Sequence, residues 1–156
     1  MCLEIIERGV VRDVENTRRV LEELKESGVQ IAIDDFGTGY AVLSHLKSLP
    51  VDALKIDASF VRDLGTSPDD LAIVRSIIGL AEAFDLQVVA EGVETPAAAL
   101  TLMRHGCRRA QGYLLSRPLP SNATESLLST TSIPMPFLAD SAALSAKVIE
   151  PVDDDS

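Results

Sequence analysis

The sequence predicts an α/β fold, a parallel sheet covered by helices. Three observations predict it. Short apolar runs alternate with segments of helical period, giving five strands and the helices between them. The runs are apolar at nearly every position, as strands of a parallel sheet are when both faces are covered. Each run also carries a polar residue within it or just past it, and the carboxyl ends of parallel strands all point the same way.

The first strand is the run CLEIIE, residues 2–7. A helix follows from Asp13, its N-cap, to Gly28, its stop, with Val14, Thr17, Val20, Leu21 and Leu24 on one face. VQIAI, residues 29–33, is the second strand by its β-branched content. A short helix over residues 40–49 closes before Pro50. ALKID, residues 53–57, is the third strand. The clearest helix begins at Ser67, with Pro68 in its first turn and Leu71, Val74, Ile77, Ile78 and Ala81 as its apolar stripe. LQVVA, residues 86–90, is the fourth strand. Thr95, Pro96 and Gly106 repeat the cap, proline and glycine pattern around the next helix, and AQGYLL, residues 110–115, is the fifth strand.

From Ser121 onward the character changes. Residues 123–129 suit a last helical turn or two, and the remainder has no sustained period and ends in acids. The expected division is a folded domain over residues 1–128 and a disordered acidic tail over 129–156. A chain of 156 residues, 46% apolar and without Trp, is long enough for one domain with an aliphatic core. Its net charge of −10 includes no basic patch, which argues against non-specific nucleic-acid binding. Cys2 and Cys107 make no disulfide framework and suit reduced thiols. No leader pattern and no run long enough to span a bilayer is visible. A soluble, cytoplasmic chain is the expectation.

The polar residues at the strand ends are Glu4 and Glu7, Asp34 and Asp35, Lys55 and Asp57, Glu91 and Glu94, and Gln111. On one rim, Glu4, Asp34, Asp35 and Glu91 form an acidic cluster around one lysine. Uncompensated, that cluster is costly, and divalent cations offset it. Ligands that are all oxygen point to Mg²⁺, Mn²⁺ or Ca²⁺ rather than zinc. Taken singly, each residue has a plainer reading: an Asp after a strand caps the next turn, and Glu91 and Glu94 are solvated loop charges. The coincidence over five strand ends weighs against those readings. His45 and His105 lie at no ligand spacing and read as surface residues. DFG at residues 35–37 lacks the other loops of a kinase, and GTG at 37–39 lacks the third glycine of a dinucleotide fingerprint.

IAIDDFGTGYAVLSHLKSLPVDALKIDASFV (31–61), VVAEGVET (88–95) and QGYLLSRPLP (111–120) closely resemble the EAL domain of bacterial cyclic di-GMP phosphodiesterases. LEIIE at residues 3–7 resembles that family's metal-binding strand, and the likeness covers residues 3–120. The resemblance implies a TIM-like barrel and hydrolysis of cyclic di-GMP to linear pGpG, helped by two Mg²⁺ or Mn²⁺ ions. It implies that Glu4 and Asp34 ligate one metal and that Asp34 and Asp35 serve the second, with Asp34 bridging. Lys55 would orient the attacking water and stabilise phosphate charge. Glu91 would be a ligand or general base, and Gln111 would stand behind the ligands, in the same outer group as Asp57 and Glu94. The loop Asp34, Asp35, Phe36, Gly37, Thr38, Gly39 and Tyr40 would be mobile and shape a dimer interface, with Glu7 anchoring it.

The family barrel has eight strands, and these residues supply the last five. The Glu-Ala-Leu signature and the strand with the metal-binding asparagine are absent, and Ala41 and Val42 stand where the family usually has two serines. The expectation is therefore a partial TIM-like barrel, a truncated EAL-domain protein that is inactive as this isolated chain. Its open arc would leave two unpaired edges and an uncovered apolar interior, favouring self-association. The alternatives are a non-catalytic module that binds cyclic di-GMP or a protein, and a remnant without function. An in-frame EAL motif upstream of Met1 would favour the phosphodiesterase.

Overall fold

A computed structural model of the chain describes residues 1–7, 13–39 and 46–129. The elements are β1 (Cys2–Ile6), α1 (Val14–Glu26), β2 (Gln30–Phe36), β3 (Ala53–Ile56), α2 (Ala58–Arg62), α3 (Pro68–Ala83), β4 (Gln87–Ala90), α4 (Pro96–Arg104), β5 (Arg109–Ala110) and α5 (Ser121–Leu128). The strands form one sheet in chain order, β1-β2-β3-β4-β5, and every neighbouring pair is parallel. This is the expected partial barrel: five parallel strands with helices along one side.

The helix starts follow from local side-chain chemistry. Asp13 accepts the N–H of Asn16, Ser67 that of Asp70, and Thr95 that of Ala98. Each satisfies an amide that the first helical turn leaves without a partner. Pro68 and Pro96 occupy the first helical position, where no N–H is needed. Past α1, Gly28 takes φ +81°, the left-handed conformation that ends a helix.

The structure differs from the sequence reading in several places. The fifth strand was expected over residues 110–115 but is only Arg109–Ala110. The chain turns at Gly112, whose carbonyl accepts the N–H groups of Leu115 and Ser116. Helix α2 is additional, begun by Asp57, whose carboxylate accepts the N–H of Ser59 at 2.9 Å. On α1 only Leu21 of the expected stripe is fully buried, and Val20 is exposed. His105 is half-buried at the end of α4 rather than on the surface. The helix expected over residues 40–49 lies mostly outside the described residues, as do Tyr40, Ala41, Val42, His45 and the tail from residue 130. Among the described residues no helix is long and apolar enough to cross a membrane.

The two faces of the sheet have different compositions. Ile31, Ile33, Leu54, Ile56 and Ala90 pack with Leu21, Val74, Ile77, Ile78, Ala81 and Leu102 of the helices in one core cluster. The strand register puts the alternate residues on the other face: Glu4 beside Ala32 and Ala53, and Lys55 beside Val89. That second face carries the charged residues, with small apolar residues between them. Ala32, Ala53 and Val89 are buried on it but stand outside the helix-side cluster.

Asp52 ties the amino ends of three strands together. Its Oδ2 accepts the N–H of Ile31 at 2.8 Å and its Oδ1 accepts from Lys25 Nζ at 2.6 Å. Its own N–H donates to the Ile31 carbonyl, and its carbonyl accepts the N–H of Gln87. Ile31 is fully buried, so its amide has no water to turn to. Asp52→Ala should therefore lower the unfolding free energy by about 1–3 kcal/mol in a denaturant titration, and Asp52→Asn by less. A loss under about 0.5 kcal/mol for Asp52→Ala would show that the amide finds another partner.

Candidate metal centre

The site is built around Lys55. Strand β3 lies in the middle of the sheet, and all four of its residues are buried. Leu54 and Ile56 face the helices, so Lys55 faces the polar side and is only 5% exposed. Its ammonium lies 2.7 Å from Glu4 Oε1, 2.6 Å from Glu91 Oε1 and 3.1 Å from Asp34 Oδ1. An ammonium has three protons to donate, and three carboxylates from β1, β2 and the end of β4 surround it. Burial on its own would lower the Lys55 pKa, but Glu4, Glu91 and Asp34 hold it well above its ordinary value. Lys55 is therefore a permanent cation and hydrogen-bond donor, not a base. Burial pushes the Glu91 carboxyl above its usual range despite the adjacent ammonium.

The carboxylate pair at the end of β2 owes its placement to an irregularity. The pairing of β2 with β3 shifts register between Ile33 and Phe36, and Asp35 takes φ +55°. A left-handed non-glycine residue is costly, and Asp is among the residues that tolerate it best. The shift turns Phe36 into the helix-side core, where it is 4% exposed. Carboxylate oxygens of Asp34, Asp35 and Glu91 come within 4.8 Å of one another. Burial, a hydrogen bond shared with Asp57 and repulsion from Asp34 raise the Asp35 pKa. Burial acts upward on Asp57 too, but the hydroxyl and N–H of Ser59 and the bond to Asp35 outweigh it and lower its pKa.

Glu7, 3% exposed, closes the turn after β2. Its Oε2 accepts the N–H groups of Gly37 and Gly39, each at 3.1 Å. A Cβ on Gly39 would stand 2.7 Å from Glu7 Oε1, so only glycine admits the carboxylate there. Thr38 donates its N–H and its hydroxyl to the Asp35 carbonyl. Two of the residues named from the sequence are not drawn into the cluster. The side chains of Glu94 and Gln111 are exposed, because the chain turns at Gly92 and Gly112 beside them. Gln111 takes part through its backbone, donating to the Ala90 carbonyl and accepting from Val93. Ser59 was not singled out in the sequence, although Asp-x-Ser after a strand signals a capped turn.

The donor set fits a divalent cation. Asp34 Oδ1 is buried and makes no hydrogen bond. Its one charged neighbour at close range is Lys55 Nζ, 3.1 Å away. A buried carboxylate oxygen without a hydrogen bond is expensive, and a cation among Asp34, Asp35 and Glu91 would satisfy it. Oxygen-only ligands suit Mg²⁺ or Mn²⁺.

Residues 1–118 match the EAL domain. The chain belongs to the EAL-domain family. Its fold superposes on the EAL domain of Mycobacterium smegmatis DcpA with a TM-score of 0.81 and 63% identity, over 85% of this chain and 60% of that one. Klebsiella pneumoniae BlrP1, in a complex with manganese and cyclic di-GMP, matches with a TM-score of 0.70 and 42% identity, over 75% of this chain and 30% of that one. The cyclic di-GMP phosphodiesterase NbdA of Pseudomonas aeruginosa is 48% identical over 126 residues, which are 81% of this chain and 16% of that protein. The chain spans 22% of the length of a 58% identical Mycobacterium tuberculosis protein and 16% of NbdA.

The ion cluster makes a measurable prediction. Replacing Lys55 by Met leaves three carboxylates facing one another without their cation. Breaking a buried pair costs about 3–5 kcal/mol. Partial exposure of Glu4 and Asp34 reduces that to roughly 2–3 kcal/mol. Thermal melts in chelator should show the loss, and millimolar Mn²⁺ should recover more stability in Lys55→Met than in the parent. Equal melting of variant and parent in chelator would mean that Lys55 is not the counter-ion of the cluster.

Proposed function

We propose that these residues carry the cation-binding and proton-handling side of a cyclic di-GMP phosphodiesterase site, which hydrolyses the cyclic dinucleotide to linear pGpG. The observation that carries this reading is the buried Lys55 ammonium held by Glu4, Asp34 and Glu91 beside the unbonded Asp34 Oδ1. The names of NbdA and of the BlrP1 complex support the substrate and the metal.

In this reading Glu4, Asp34, Asp35 and Glu91 would hold Mg²⁺ or Mn²⁺, with Asp34 central among them. Bound cations would acidify a water and neutralise charge on the phosphate. Lys55, always protonated, orients the attacking water and donates to a phosphate oxygen as charge builds on it. Glu91, with its raised pKa, is suited to accept the proton of that water. Asp57, through Asp35, and Glu7, through the Gly37–Gly39 turn, keep the β2 end in place. The free Cys2 and Cys107 thiols suit a reducing cytoplasm. The exposed Leu3 and Ile6 on the β1 edge favour association of residues 1–156 when they are isolated.

We further propose that residues 1–156 alone turn over little substrate, because the metals lack ligands that the rest of an EAL barrel supplies. The test measures pGpG formation with Mn²⁺ by residues 1–156, by a fusion to the preceding strands of a mycobacterial relative, and by Asp34→Asn in that fusion. The fusion should be active, and Asp34→Asn should lose at least about a hundredfold. Robust turnover by residues 1–156 alone would show that the further ligands are dispensable. A folded fusion that binds cyclic di-GMP without cleaving it would favour the non-catalytic module.

A further inference from the structure

Glu91 leaves β4 in a segment whose path is set by backbone contacts. Its N–H donates to the Ile56 carbonyl at 3.1 Å. The next residue, Gly92, has φ +63°, and a Cβ there would stand 2.5 Å from Ala58 Cβ. Val93, fully buried, donates its N–H to the Gln111 carbonyl and accepts from the N–H of Leu114. Against it lies Gly112, where a Cβ would stand 2.3 Å from both the nitrogen and the oxygen of Val93. The segments leaving β3, β4 and β5 therefore meet closely, the Ala58 methyl against Gly92 and the Val93 backbone against Gly112.

We propose that Gly92 and Gly112 are positioning residues, and that this stack of close-packed chain segments holds the Glu91 carboxylate against Lys55 and beside Asp34 and Asp35. Glu91 has a flexible side chain, so its carboxylate can be placed to a fraction of an ångström only if its backbone is fixed on both sides. The Ile56 hydrogen bond fixes one side. On the other side, the left-handed turn at Gly92 sends the chain straight into the Val93 anchor. A side chain at 92 would be strained at that φ and would collide with Ala58, and one of the two loops would have to move. Ala58 and Gly92 are half-exposed rim residues outside the helix-side cluster. The inference rests on the proposed function only for what the carboxylate does, not for where it is held.

The test uses the 156-residue chain and two readouts. One is the NMR signal of the Lys55 ammonium, which its burial shields from rapid exchange. The other is Mn²⁺ affinity by electron paramagnetic resonance. Gly92→Ala and Ala58→Val should keep the far-UV circular dichroism of the parent and shift the ammonium signal as the reference variant Glu91→Gln does. Their Kd for Mn²⁺ should rise about tenfold, as expected for a ligand displaced by less than 1 Å. Gly92→Ala combined with Ala58→Gly relieves the collision and should move both readouts back toward the parent, which a general loss of stability would not do. If Gly92→Ala fails to fold, Ala58→Val decides. An unchanged ammonium signal in the folded variants would overturn the proposal. A parent that binds no Mn²⁺ would instead count against the proposed function, while the ammonium signal would still decide whether the stack positions Glu91.

Discussion

The arrangement depends on one buried cation. Two carboxylates a few ångströms apart repel by about 4 kcal/mol at an effective dielectric constant of 20, and four acidic residues crowd the end of this sheet. Lys55 offsets that repulsion from the central strand, where it reaches Glu4, Asp34 and Glu91 at once. An edge position would reach fewer of them and would be hydrated. The parallel sheet in chain order is what makes the meeting possible, because it brings every strand end to the same rim. Lys55 does not complete the site, since Asp34 Oδ1 stays without a hydrogen bond.

The lysine in turn depends on the division between the faces. Leu54 and Ile56 anchor β3 in the aliphatic cluster under the helices, and the alternation of a strand then directs Lys55 the other way. Ala32 and Ala53, on the same face as Lys55, are too small to crowd it. The backbone supplies the rest of the shaping. The bulge in β2 turns Asp34 and Asp35 to different tasks, one on the lysine and one on Asp57, while Glu7 holds the following turn by two amides.

Much of this was legible in the sequence, for reasons that can be stated. Caps at Asp13, Ser67 and Thr95 are local chemistry, readable three residues at a time. The strand-end carboxylates were legible because a parallel sheet has one rim, whatever its curvature. What escaped depended on contacts distant in sequence. The early end of β5 follows from Gly112 meeting Val93, and the exposure of Gln111 and Glu94 follows from the same pair of turns. The approach of Asp35 to Asp57 needs the register shift in β2, which no periodicity announces. Helix α2 was too short for a period to reveal, and only Asp57 with Ser59 marked its start.

On the proposed reading, the rim carboxylates hold metal with Lys55 as their fixed counter-charge. The most direct measurement is anomalous scattering at the manganese edge from crystals of the chain grown with Mn²⁺. The account predicts a peak bounded by the carboxylates of Asp34, Asp35 and Glu91, with Lys55 still paired to Glu4 or Glu91. A peak elsewhere on the surface, with the three carboxylates unchanged and Asp34 Oδ1 hydrogen-bonded to a water instead, would contradict it.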